Sequence, residues 1–308
     1  MPNELEADTM RRRFATLDVF TSRRLAGNPL AVVLDAEGLG DAAMQAIARE
    51  FNLSETVFVL PPSDPRYRAS LRIFTPGREL PFAGHPTVGT AVLLALRDEQ
   101  AGDAQMFGLE EKVGTVPCIV ERRGPDTGYA RFRLPRLPEA LGEAPGVAES
   151  AWALGLDPSE IGFDRHLPSR HSAGAPFAFV PVRNLDVIRR ATRAQDAFAK
   201  VAGEGTGLYV YTRETAEPGR QYHARMFGAA GVGIHEDPAT GGAAAAFAGV
   251  LMQFEPLGDG EHSVVIEQGY EMGRPSEIDL QVTIREGALA GAEIGGGAVV
   301  VSEGTFTA

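Results

Sequence analysis

The chain has one cysteine, Cys118, in 308 residues. A single thiol builds neither a disulfide framework nor a thiolate metal site. It lies in Thr115-Val116-Pro117-Cys118-Ile119-Val120, a strand-like run, so a buried structural thiol is expected. Positive charge is also scarce. Lys and Arg number 29 against 41 Asp and Glu, a net charge of -12. Nucleic acid and anionic membrane surfaces need clustered positive charge and are excluded as expected partners. No apolar run approaches the ~20 residues that span a bilayer. The start, Met1 to Asp8, is acidic and lacks the apolar stretch of a signal peptide, so a cytoplasmic protein is expected. Arg11-Arg12-Arg13 reads as a solvated lead into a strand. The histidines lack the paired spacing of a zinc site. There is no Gly-x-Ser-x-Gly elbow and no dinucleotide-binding glycine pattern. Gly295-Gly296-Gly297 reads as a tight turn before the last strand, not a phosphate loop. Neither a metal nor a cofactor is expected.

What the sequence does contain is a repeat. Arg72-Ile73-Phe74 leads to His85-Pro86-Thr87-Val88-Gly89, and Arg225-Met226-Phe227 leads to Asp237-Pro238-Ala239-Thr240-Gly241. Upstream, Gly27-Asn28-Pro29-Leu30-Ala31 matches Gly174-Ala175-Pro176-Phe177-Ala178, and Val57 to Leu60 matches Leu208 to Tyr211. Three anchors recur in order, about half a chain apart. That period is too long for a solenoid. It fits two similar domains, each long enough to bury its own core. The Pro-, Gly- and Glu-rich stretch from 134 to 157 marks the boundary. The expected domains are 1–135 and 136–295.

Each half reads as short strands around one helix that is apolar on all sides and therefore buried, Thr87 to Arg97 in the first and Gly241 to Met252 in the second. Asp41 is a candidate N-cap for an earlier helix, 41–51. The fold class is α+β, with two pseudo-symmetric domains that each wrap a curved, mainly antiparallel sheet around a central helix. Thr87 and Thr240 are N-cap types at the two helix starts. Unpaired amides and the helix dipole at such starts attract a carboxylate. In this alignment His85 and Asp237 occupy matched positions, which suggests a site at the joint between the copies. Glu55, in Asn52-Leu53-Ser54-Glu55-Thr56, has no acidic counterpart near Gly207. At an apolar strand mouth its carboxyl would be pushed up by desolvation, although its spacing alone reads as an exposed loop glutamate. His166, His171, His223 and His235 are weaker candidates.

These strings, with Glu79-Leu80-Pro81-Phe82-Ala83-Gly84-His85-Pro86, Glu236-Asp237-Pro238-Ala239-Thr240-Gly241 and Gln268-Gly269-Tyr270-Glu271-Met272-Gly273-Arg274-Pro275-Ser276, resemble the PhzF family of phenazine-biosynthesis isomerases. The resemblance implies the diaminopimelate-epimerase fold, with residues 296–308 returning to complete the first domain. It implies a homodimer and cofactor-independent proton transfer within a small carboxylate-bearing substrate. Glu55 becomes the acid/base, with His85 and Asp237 lining the site. Gly84, Thr87, Thr240, Gly241 and Gly242 become substrate contacts. Gly242 departs from the family, which has serine after the Thr-Gly. The relatives that racemise amino acids use two cysteines, absent here from the matching motifs. Two alternatives remain open: an epimerase or other proton-shift enzyme acting on a small amino or hydroxy acid, and an inactive small-molecule-binding protein of the same fold.

Overall fold

The computed structural model describes residues 10–98, 100–203, 207–229 and 235–308. The acidic start of the chain lies outside them. The first half runs β1 Arg11–Val19, β2 Asn28–Val33, α1 Asp41–Phe51, β3 Glu55–Leu60, β4 Ala69–Phe74, β5 Glu79–Leu80, α2 Gly84–Leu96, β6 Ala104–Glu111, β7 Gly114–Arg122, β8 Thr127–Arg133 and β9 Glu139–Ala140. The second runs α3 Val147–Leu154, β10 Ser169–Ser172, β11 Pro176–Pro181, α4 Leu185–Arg190, α5 Gln195–Ala202, β12 Gly207–Thr212, β13 Tyr222–Gly228, β14 Glu236–Asp237, α6 Gly241–Phe254, β15 Gly260–Gln268, β16 Ser276–Arg285 and β17 Ala288–Thr307.

The two halves share one pairing scheme. From β1 through β2, β3, β4, β6, β7 and β8, successive pairs are antiparallel, parallel, antiparallel, parallel, antiparallel and antiparallel. From β10 through β11, β12, β13, β15, β16 and β17 the sequence of pairings is the same. Each half of the one continuous sheet curls around a helix with no solvated face. In α2 the residues from Gly84 to Leu93 are all buried, and α6 is buried from Ala243 to Leu251. Small side chains let the first half of α6 sit deep, and Phe247 at its middle is boxed by Tyr211 and Tyr222, each with ring centroids 4.9 Å away. The fold is the α+β class expected from the sequence.

Hydrogen bonds fix the register of the repeat more sharply than the sequence does. Arg72 grips Glu79 with two bonds, and Arg225 grips Glu236 with two. Glu110 accepts the amides of Ser63 and Asp64, and Glu267 accepts those of Ala216 and Glu217. The first helical glycine then lies five positions after the paired glutamate in both copies, 79 to 84 and 236 to 241. This corrects the sequence alignment. His85 matches Gly242, and Asp237 matches Leu80. The ladder partners Val32–Val57 and Phe179–Tyr209 likewise place Val57 opposite Tyr209 in the repeat, which puts Glu55 at Gly207.

Other expectations change with it. α2 starts at Gly84, so His85 is its second residue and Ala83, not Thr87, is the cap. Thr240 does occupy the cap position of α6, but its side chain bonds elsewhere. Gly40 caps α1, and the Asp41 carboxylate pairs with Arg72 instead. Arg12 is buried and donates to the carbonyls of Asp35 and Glu37, because strand alternation turns the middle arginine inward. Gly295-Gly296-Gly297 is no turn. It lies inside β17, whose early residues pair with β16, whose middle pairs with β8, and whose end pairs with β1. The glycines are there for close approach, since a Cβ on Gly296 would lie 2.3 Å from the Phe20 ring. Gly296→Ala is expected to lower unfolding stability by about 1–3 kcal/mol through overpacking, measured by urea denaturation; a change near zero would show that Phe20 can move.

Candidate active site

Glu55 is the first residue of β3. The chain leaves α1 through Asn52, held left-handed at φ 50°, and enters the strand beside Leu30 of β2. The side chain is not the exposed loop glutamate that its spacing suggested; only 9% of the residue is accessible. Its Oε2 lies 3.5 Å from His85 Nε2, on the first turn of α2. Both atoms are buried without a hydrogen-bond partner. The His85 ring bonds the Pro29 carbonyl, which leaves Nε2 as the nitrogen without a proton. Burial pushes the imidazole down to about 3, so it is neutral at physiological pH.

Asp237 reaches the same place from the other half. Its Oδ1 accepts from Asn28 Nδ2 at 2.9 Å and from Ser54 Oγ at 3.4 Å, and its Oδ2 accepts from Thr240 Oγ1 at 2.6 Å. Its own carbonyl accepts from Gln268 Nε2 at 2.7 Å. Burial outweighs these three side-chain bonds and raises the carboxyl to about 6. Glu55 is pushed well above its ordinary range, first by burial and then by the negative charge of Asp237. Two carboxyls removed from water beside each other resist losing both protons.

The five expected contact residues divide by their free groups. Thr87 gives both its N–H and its hydroxyl to the Ala83 carbonyl region, and Thr240 commits its N–H to Gln268 Oε1 and its hydroxyl to Asp237. Gly84, Gly241 and Gly242 lie in the first turns, where helix amides have no partner within the helix. The two starts touch backbone to backbone. A Cβ on Gly84 would sit 3.1 Å from Gly241 Cα, and one on Gly241 3.2 Å from Gly84 Cα. At Gly242 a Cβ would meet only the Phe177 ring, at 3.8 Å, an ordinary contact.

Three residues in this network have no role in the sequence reading: Asn28, Ser54 and Gln268. All three appear there only as letters in the motif strings. Asn28 and Asp237 lie 209 positions apart, so no local spacing could pair them. Arg274 supports Asn28 from outside by binding Asp18 and the carbonyls of Ala26 and Gly27. Two of the other histidines work elsewhere. His166 bonds Tyr211 and Glu255, and His223 sits between Glu267 and Glu271. Cys118 is buried in β7, its thiol pushed up to about 12 mainly by burial. Among the described residues no cluster of three or more His, Cys, Asp or Glu has a metal-holding arrangement, and no helix is long and apolar enough to cross a membrane.

The sign of the pH dependence follows. Glu55 has a raised folded value, so its contribution to stability is present at acid pH and lost as pH rises. Glu55→Gln has no charge to bury. Thermal melts are expected to show the variant's advantage over wild type growing from about pH 5 to pH 8; a difference independent of pH would mean that Glu55 is not desolvated in solution.

Relatives carry the same architecture. The family model described as PhzC-PhzF, phenazine biosynthesis-like protein, matches residues 17–304. An uncharacterized isomerase of Mesorhizobium japonicum is 51% identical over 299 residues, 95% of this chain and 98% of its own. Trans-2,3-dihydro-3-hydroxyanthranilate isomerase of Pseudomonas fluorescens is 36% identical over 296 residues, again 95% and 98%. The crystal structure of a phenazine biosynthesis protein of the PhzF family from Bacillus anthracis superposes with a TM-score of 0.86 at 29% identity, covering 96% of this chain and 99% of that one. With nearly its full length matched, this chain belongs to the PhzF family of isomerases.

Proposed function

We propose that this isomerase moves a proton within a small carboxylic acid without a cofactor, and that Glu55 carries the proton. The observation behind this is a carboxyl on a residue only 9% accessible, set beside a neutral imidazole and a second carboxyl, with its Oε2 unpartnered. A raised carboxyl is a competent acid and a competent base near neutral pH. Its carboxylate removes a proton from carbon, the electron pair spreads into the adjacent unsaturated system, and the same carboxylic acid returns the proton to another carbon. No electron is gained or lost. The unpaired first-turn amides of Gly84, Gly241 and Gly242 receive the substrate carboxylate. His85 Nε2 and Asn28 Oδ1 are buried acceptors that lack a donor, which favours a substrate bearing amine or hydroxyl hydrogens. The substrate named for the Pseudomonas fluorescens relative has a carboxylate, a hydroxyl and an amine.

The test is incubation with trans-2,3-dihydro-3-hydroxyanthranilate in deuterated water. Wild type should isomerise it and incorporate deuterium at the receiving carbon. Glu55→Gln should still bind it but lose about 100- to 10,000-fold in rate. Unchanged turnover in Glu55→Gln would remove Glu55 from the assignment.

Asp237 orients the substrate and holds negative charge beside Glu55. Asp237→Asn therefore removes the charge that helps to raise Glu55, and the pH at which activity falls on the acid side should move down. A pH–rate profile unchanged by Asp237→Asn would show that the two carboxyls do not interact during turnover.

A further inference from the structure

Thr87 poses a hydrogen-counting problem. Its Oγ1 lies 2.8 Å from the Ala83 carbonyl and 2.7 Å from Glu111 Oε1. A threonine hydroxyl has one hydrogen. If that hydrogen goes to Ala83, as in a helix residue bonding back to the carbonyl four positions earlier, Glu111 must supply the other. Glu111 then is a carboxylic acid donating to Thr87, not a carboxylate accepting from it. If both oxygens were only acceptors, one pair would be an unbridged oxygen–oxygen contact at hydrogen-bond distance.

The repeat gives an independent check. The ladder pairs Ser70 with Glu110 and His223 with Glu267, so Glu111 and Gln268 occupy the same place in the two copies. Gln268 is neutral by construction. Its Nε2 donates to Thr240 Oγ1 at 3.0 Å, and that hydroxyl passes its own hydrogen to Asp237. In each half, then, the last residue of a matched strand binds a threonine at the start of the central helix. In one half the donor is an amide; in the other it is Glu111. The helix position that matches Thr87 is Ala244 in the second half, so the two devices reach different threonines by the same route.

Resting on the functional reading above, we propose that Glu111 is a positioning residue that acts as a neutral acid, donating to Thr87 to fix the first turn of α2 and keeping negative charge away from the helix start that receives the substrate carboxylate. Burial favours the same state: 8% of the residue is accessible, its second oxygen has no donor, and desolvation pushes the carboxyl up to about 8. The groups around it leave the proton in place. Cys118 faces it from β7 as a thiol. Lys112, next in the hairpin, reaches Glu79 instead. Glu110 points the other way and binds the Ser63 and Asp64 amides. Arg72 of β4 is occupied by Glu79 and Asp41.

An infrared pH titration in deuterated water tests the proton directly. Wild type should show a protonated-carboxyl band at pH 6 that Glu111→Gln lacks and that fades as pH rises through about 8, while Thr87→Val should shift the band by removing its acceptor. Kinetics with trans-2,3-dihydro-3-hydroxyanthranilate test the consequence. Glu111→Leu should raise KM at every pH, and Glu111→Gln should restore it and abolish the wild-type rise in KM above about pH 8. No band assignable to Glu111 at pH 6 overturns the proposal, and so does a KM–pH curve identical in wild type and Glu111→Gln. Failure of every protein to turn over the substrate would instead strike the functional reading, and the infrared result would still decide whether Glu111 holds its proton.

Discussion

The structure depends on removing two carboxyls and an imidazole from water at the seam between the repeated halves. Glu55 and His85 come from the first half and Asp237 from the second, and the two central helices begin so close together that a Cβ at Gly84 or Gly241 would press on the facing backbone. Burying ionisable groups without full hydrogen-bond compensation is costly. Two buried, largely apolar helices and a continuous sheet supply the stability that tolerates it. Active sites commonly hold such costs because perturbed carboxyls are the useful ones.

A symmetric scaffold here carries an asymmetric site. Glu55 is matched by Gly207, whose backbone sits at φ 157° with the Phe227 carbonyl 2.1 Å from where a Cβ would be, so no second acid can stand there without rebuilding the strand. His85 is matched by Gly242, and Asp237 by Leu80. Each half contributes what the other lacks at the matched position. A two-base enzyme would need reactive groups on both sides of the substrate, whereas the unpartnered atoms of the buried acid and imidazole, Glu55 Oε2 and His85 Nε2, lie together in the first half. Gln268 and Glu111 extend the pattern one shell outward, where the same strand end serves both helix starts through different chemistry.

Much of the fold was legible because its signals are local. A helix that is apolar on every side must be buried, and paired Arg-x-Phe strands half a chain apart announce a duplication. The site was legible only in outline. Glu55, His85 and Asp237 stood out through motif strings, yet the repeat was aligned on the wrong pair, because Pro86 and Pro238 look alike in sequence while the Arg–Glu bonds set the true register. The glycine triplet misled for the same reason: glycine marks a turn and a close approach with the same letter, and only the Phe20 ring tells them apart.

The sequence by itself determined the two-copy plan, the buried helices and the residue types available for proton transfer, because these follow from composition and period within short windows. Tertiary structure decided which of those residues meet and in what charge state. Asn28 and Ser54 reach Asp237 only once β2 and β3 face the start of α6, and Glu55 and His85 leave their ordinary titration ranges only once both halves have excluded water from them. Hydrogen-bond partners and desolvation are properties of assembled surroundings, which no window of sequence contains.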